Sequence, residues 1–153
     1  MSATGLELLR RLEFFSAFSE EALRLISFAA EDRDIAPGEA LFREGDAAAG
    51  GIIVVSGLLQ LSDRNDTGTT LTAGPGDLIG ELALLFPTTR AMTAIARTEC
   101  TLLTISRTIV KRALGEFPDT AARLHRMLSG RLTELNAGLT AVSGMLEKID
   151  TPS

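Results

Sequence analysis

The sequence predicts an α+β chain: an antiparallel β-roll (double-stranded β-helix, jelly-roll-like) flanked by N-terminal helices and a long C-terminal helix. Three observations predict it. Short β-rich runs fill the middle of the chain, glycine and proline turns separate them, and helical apolar spacing marks both ends. With 153 residues, 45% hydrophobic and 23% charged, the chain suits one domain with one ordinary core and not a disordered or fibrous protein.

Within residues 6–30, Leu8, Leu9, Leu12, Phe15, Leu23, Ile26 and Phe28 recur at helical spacing. Ser19 is placed to cap a second helix whose first turn carries Glu20 and Glu21. Strands are expected at 52–55, 58–61, 69–72, 91–96 and 100–105. Pro37-Gly38, Gly45-Asp46, Asn65-Asp66 and Gly74-Pro75-Gly76 supply the turns. One stretch breaks the β pattern: Gly80-Glu81-Leu82-Ala83-Leu84-Leu85 lacks β-branched side chains and predicts a single helical turn between strands. Pro118 suits the first turn of the long final helix. Along that helix Leu114, Phe117, Ala121, Leu124, Leu128, Leu132, Leu135, Leu139, Val142, Leu146 and Ile149 form a heptad-like stripe. Its first half is expected on the chain's own roll and its second half against a twin helix. The whole reads as a single domain: helices in 1–30, the roll in 31–106 and C-terminal helices in 107–150.

Composition narrows the chemistry. The chain has 15 basic and 20 acidic side chains, a net charge of -5, which disfavours direct nucleic-acid binding. Charge is uneven: residues 1–106 carry 8 basic and 15 acidic groups, and residues 107–153 carry 7 and 5. One cysteine, Cys100, excludes an internal disulfide and any multi-thiolate metal site. It reads as a small core residue. One histidine, His125, and no tyrosine remove the clustered ligands and acid-base pairs that metal-dependent or epimerising rolls need. No role is assigned to His125, no metal or cofactor is expected, and Arg107, Lys111 and Arg112 read as the wet face of a helix. The longest apolar stretch, residues 51–61, is too short to span a bilayer, which takes about 20 residues. No secretory leader pattern opens the chain. A soluble, cytoplasmic protein without a membrane partner is the expectation.

Residues 76–94 carry the functional signal. A helical turn starting at Gly80 aims unpaired backbone N–H groups outward, where an anion is favoured. Glu81 would repel that anion unless it accepts from a sugar hydroxyl beside it, while Arg90 supplies charge and a planar fork of donors. A phosphate joined to a ribose satisfies both residues. The bland reading is a structural Glu81–Arg90 ion pair.

This run resembles the phosphate-binding cassette of the cyclic nucleotide-binding domain family, of the type found in catabolite-activator regulators and in cyclic-AMP-dependent protein kinase regulatory subunits. Pro37-Gly38-Glu39, Phe42-Arg43-Glu44-Gly45-Asp46, Ser56-Gly57 and Gly74-Pro75-Gly76-Asp77 resemble the family's supporting turns. The resemblance implies that Glu81 accepts from the ribose 2′-hydroxyl and Arg90 binds the phosphate. It further implies phosphate donors at the N–H groups of Ala83 and Ala91, and a ribose lining from Gly80 and Leu82. Leu61 and Leu71 would cover the base, and Thr93 keeps the usual hydroxyl near the pocket. Arg131 matches an arginine that pairs with the ribose-binding glutamate, and Asn136 falls where the family contacts the adenine amino group. Ala91, where relatives favouring guanine carry Ser or Thr, points to cyclic AMP over cyclic GMP.

The function implied is a non-enzymatic cyclic-nucleotide sensor. Ligand binding moves the C-terminal helix and with it a homodimer contact or an effector-protein surface. The alternative is an orphan dimerisation and protein-interaction module of the same fold that binds no nucleotide. Only residues 150–153 follow the long helix, so no helix-turn-helix DNA reader is expected.

Overall fold

The structure, a computed structural model, describes residues 2–63 and 70–139. It opens with α1 (Ser2–Arg11), a 3-10 turn (Glu13–Ala17) and α2 (Glu20–Ala29). Ser19 caps α2 as its sequence implies: the side chain accepts from the Ala22 N–H at 3.2 Å. The buried face of α2 is Ala22, Leu23, Ile26 and Ser27. Phe28 departs from the helical stripe expected of it. It points outward and is 85% exposed.

Ten strands follow: β1 (Glu31–Ile35), β2 (Ala40–Phe42), β3 (Ala47–Ala48), β4 (Gly50–Ser56), β5 (Leu59–Ser62), β6 (Leu71–Ala73), β7 (Leu78–Ile79), β8 (Thr88–Thr89), β9 (Thr93–Ala96) and β10 (Cys100–Ser106). They form two four-stranded antiparallel sheets, ordered β1-β10-β4-β7 and β2-β9-β5-β6, with a two-stranded ribbon β3-β8. Neighbours that are distant in sequence wind the chain into the expected roll. A second 3-10 turn (Glu81–Leu84) interrupts the strands between β7 and β8, at the predicted stretch.

Alternation along the strands separates two cores. Ile35, Ile52, Val54, Cys100 and Leu102 face Leu41, Leu59, Ala73, Ala94 and Ala96 inside the roll. Ile53, Leu103 and Ile105 point the other way and pack with Leu9, Phe14, Phe15, Leu23, Ile26, Val110, Ala113 and Leu124 from the helices. Leu84, fully buried in the second 3-10 turn, joins this helical core. Cys100 is buried, with Sγ 3.3 Å from the carbonyls of Leu58 and Thr98.

After the roll come α3 (Arg107–Glu116), capped by Ser106, and α4 (Pro118–Leu139). The first half of α4 joins the cluster that Ile53, Leu103 and Ile105 of the roll share with the helices. Leu124 packs in the helical cluster, Arg123 donates to the Ala17 carbonyl at 2.9 Å, and Thr120 accepts from the Ser19 N–H at 2.9 Å. Val142, Leu146 and Ile149 of the stripe lie outside the described residues.

Phe15 is fully buried and stacks edge-on against Phe14 and Phe18, with centroids 4.9 and 5.1 Å apart. Phe15→Ala should therefore lower unfolding free energy by about 3–5 kcal/mol, read from urea denaturation.

Candidate functional site

The second 3-10 turn begins at a residue only glycine fills easily. Gly80 has φ +83°, in the left-handed region, and a Cβ there would lie 2.5 Å from Arg90 Nη1. The missing side chain is the space the guanidinium occupies. Arg90 arrives from the end of β8, fixed by two backbone bonds to the preceding turn: Arg90 N–H to the Asp46 carbonyl and Gly45 N–H to the Arg90 carbonyl, both 2.8 Å. Its Nη2 donates to the Gly50 carbonyl at 3.1 Å, and its guanidinium carbon sits 4.4 Å from the centre of the Phe42 ring. Gly50 reaches this place because β4 runs tight against β10; a Cβ there would lie 1.9 Å from the Ile105 carbonyl.

Burial pushes Arg90 below its ordinary basicity, and the charge of Asp46 opposes the shift. Among the described residues no carboxylate stands within ion-pair distance of it. The bland Glu81–Arg90 ion pair is therefore not formed. Glu81 pairs instead with Arg131 of α4, whose Nη1 donates to Glu81 Oε2 at 2.9 Å, while Nη2 donates to Glu13 Oε1 at 2.9 Å. The Glu81 hydrogen bond raises Arg131 above its ordinary value, burial opposes it, and the charges of Glu81 and Glu13 add to it.

These groups open onto a cavity of about 370 Å³, within the range of small-ligand sites. Gly80, Glu81, Leu82, Ala83, Arg90, Ala91 and Leu61 all line it. Leu71, Thr93 and Arg131 do not, and Arg131 meets the site only through Glu81. Leu71 is 51% exposed, and the Thr93 hydroxyl accepts from the Glu44 N–H at 2.9 Å, tying β9 to the turn before β3. The Asn136 side chain lies outside the described residues. The Ala83 N–H, expected to be free, donates to the Gly80 carbonyl at 3.0 Å and closes the 3-10 turn. Met92, which stands where relatives carry a small residue and was expected to narrow the pocket, lines it, whereas sequence reasoning missed Phe42, Ala48, Ile79, Thr88 and Thr89 as wall residues. Phe42 stood in a turn motif already noticed, but no spacing rule shows that its ring meets Arg90. A larger cavity of about 620 Å³ lies across the same two residues, at the end of the roll lined by Glu31, Arg33, Thr104 and Ser106. It contains none of the cassette except Arg90, so the smaller cavity is the candidate site.

Arg107 corrects the reading of a wet helix face. Its Nη1 donates to the carbonyls of Ala48, Ala83 and Phe86 at 3.0, 3.1 and 3.2 Å, clamping the 3-10 turn to the start of α3. Lys111 and Arg112 are exposed as expected.

The family model for the cyclic nucleotide-binding domain matches residues 32–116, more than half of the chain. The chain belongs to the cyclic nucleotide-binding domain family. Lysophospholipase NTE1 of Chaetomium globosum is 33% identical over 113 residues, 72% of this chain but 7% of its own length. A CRP-like cAMP-activated global transcriptional regulator of Mycobacterium tuberculosis is 27% identical over 136 residues, 87% of this chain and 61% of that protein. This cyclic nucleotide-binding domain thus spans a small part of the first relative and about three-fifths of the second. Among solved structures, the regulatory domain of Toxoplasma gondii PKA with cAMP superposes with a TM-score of 0.66 at 30% identity, covering 73% of this chain and 44% of that one. No helix among the described residues is long and apolar enough to cross a membrane.

Two substitutions test how the cyclic nucleotide-binding domain holds its cassette. Gly80→Ala should cost about 1–2 kcal/mol for the left-handed backbone and displace Arg90, seen as a shift of the Arg90 side-chain NMR signal. Arg107→Ala should cost about 1.5–3 kcal/mol by denaturation, because charged hydrogen bonds to three carbonyls are lost.

Proposed function

We propose that this domain is a regulatory sensor of cyclic nucleotides, with cyclic AMP preferred over cyclic GMP and no catalytic activity of its own. The observation that carries the reading is Arg90: a half-buried cation, paired with no carboxylate among the described residues, on the wall of a cavity that also holds Glu81. A desolvated cation that no carboxylate pairs with directly favours an anion, and a guanidinium offers a phosphate two parallel bonds.

Glu81 has one oxygen committed to Arg131. Its other oxygen serves as acceptor for the ribose hydroxyl. Gly80, Leu82, Ala83 and Ala91 enclose the phosphate and sugar, and Leu61 with Met92 lies against the base. The Ala83 amide reaches the phosphate only when its bond to the Gly80 carbonyl is shared or opened. Ala91 offers no hydroxyl at the position where guanine-favouring relatives carry one, which supports the cyclic AMP preference. The similarity to a cAMP-activated regulator of M. tuberculosis and to a T. gondii PKA regulatory domain solved with cAMP points the same way.

Binding reaches the rest of the chain through contacts that leave the 3-10 turn: Leu84 into the helical core, Arg107 from α3 and Arg131 from α4. A ligand that draws this turn inward favours one placement of α3 and α4 over another, and its leverage is limited to the difference in its affinity for the two. The C-terminal helix then presents a homodimer contact or a surface for a cytoplasmic effector.

Thermal and urea unfolding with cyclic AMP tests the reading. At a hundredfold excess over its dissociation constant the nucleotide should add about 2.7 kcal/mol. Arg90→Ala should remove that gain, since stripping one partner from a buried charged contact costs about 2–5 kcal/mol. Native protein that gains nothing from either cyclic nucleotide would leave the orphan interaction module as the better description.

A further inference from the structure

We propose that Phe42 is a positioning residue for Arg90, an aromatic shelf that fixes the plane of the guanidinium so that its uncommitted donors face the cavity. The inference rests on the reading of that cavity as a phosphate-ribose site.

A long arginine side chain must be held still if it is to meet a phosphate with two parallel bonds. A carboxylate is the usual means of holding one, but it would cancel the charge the ligand needs. The structure uses two neutral supports instead. The Gly50 carbonyl takes one Nη2 proton at 3.1 Å, and the Phe42 ring lies against the guanidinium with its centre 4.4 Å from the guanidinium carbon. An aromatic face attracts a cation through its quadrupole and leaves every N–H donor free. Gly80 closes the remaining side, since even a methyl group there would meet Nη1. The guanidinium is thus confined by a ring, a carbonyl and a missing side chain.

Position supports the same assignment. Phe42 ends β2 and is only half-buried, with its ring shared between the edge of the roll core and the wall of the candidate cavity. Leu41 and Ile52, by contrast, are buried in the roll core, Ile52 pairing with Ile79 across the sheet, and neither offers Arg90 a ring face. Any apolar side chain of similar volume would serve that packing role. Only an aromatic one provides a face for the cation.

The test compares cyclic AMP affinity by isothermal titration in native protein, Phe42→Leu, Phe42→Met and Phe42→Tyr, with melting temperature recorded for each. The two aliphatic variants should remain folded and bind cyclic AMP about three- to tenfold more weakly, and the tyrosine variant should stay within about twofold of native. In ligand-free native protein the Arg90 side-chain protons should be shifted upfield by the ring current, and that shift should vanish in the aliphatic variants. Native protein that binds cyclic AMP while Phe42→Leu or Phe42→Met binds it equally well overturns the shelf and leaves the nucleotide reading intact. Native protein that does not bind cyclic AMP overturns the nucleotide reading and the inference with it. An unshifted Arg90 signal in native protein overturns the shelf without reference to ligand.

Discussion

One half-buried charge organises this domain. Arg90 is carried into a half-buried place where solvent is depleted and no carboxylate among the described residues forms an ion pair with it, Asp46 acting only at longer range. Such a group is costly unless something else holds it. Here the Gly50 carbonyl, the Phe42 face and the side-chain-free surface of Gly80 do so without neutralising it. Each of those supports depends on a larger feature: Gly50 on the close β4–β10 pairing, Phe42 on the end of β2, Gly80 on the left-handed entry to the 3-10 turn. The roll can be understood as the frame that brings three neutral supports to one cation.

The same turn is joined to the helices by contacts of three physical kinds. Leu84 is an apolar anchor in the helical core, Arg107 a charged donor to the carbonyls of the turn, and Arg131 a cation shared between Glu81 of the turn and Glu13 of the N-terminal segment. The apolar contact resists being pulled apart, because moving Leu84 exposes a fully buried side chain. The Arg131 pairs are partly exposed and screened, so they give way more readily. A ligand contacting Glu81 therefore competes at the softer of these junctions.

Much of this was legible in the amino-acid order. The interruption at Gly80–Leu85 stood out because helix formers without β-branching sat inside a β-rich run, and the 3-10 turn falls there. The strongest strands, β4 and β10, read from their aliphatic runs. Strand β1 did not: Glu31-Asp32-Arg33-Asp34 carries no apolar alternation and is held in the sheet by pairing with β10 on one side. The two-residue strands β3, β7 and β8 are too short for any periodicity. At the site, Gly80, Glu81 and Arg90 came from a compact motif, and the Arg131–Glu81 pair from the resemblance. Phe42 and Arg107 escaped because their partners lie 48 positions away in one case and include carbonyl oxygens in the other, which no side-chain pattern encodes. Phe28 misled because helical spacing says which residues share a face, not how far that face is covered.

The proposed role of the unpaired Arg90 charge is to receive a cyclic phosphate. Parallel calorimetric titrations of the native chain with cyclic AMP and with adenosine address it most directly, since the two ligands share base and ribose and differ in the phosphate. Saturable one-to-one binding of cyclic AMP and no measurable binding of adenosine at the same concentrations are the expected result. Equal binding of the two, or binding of neither, would contradict it.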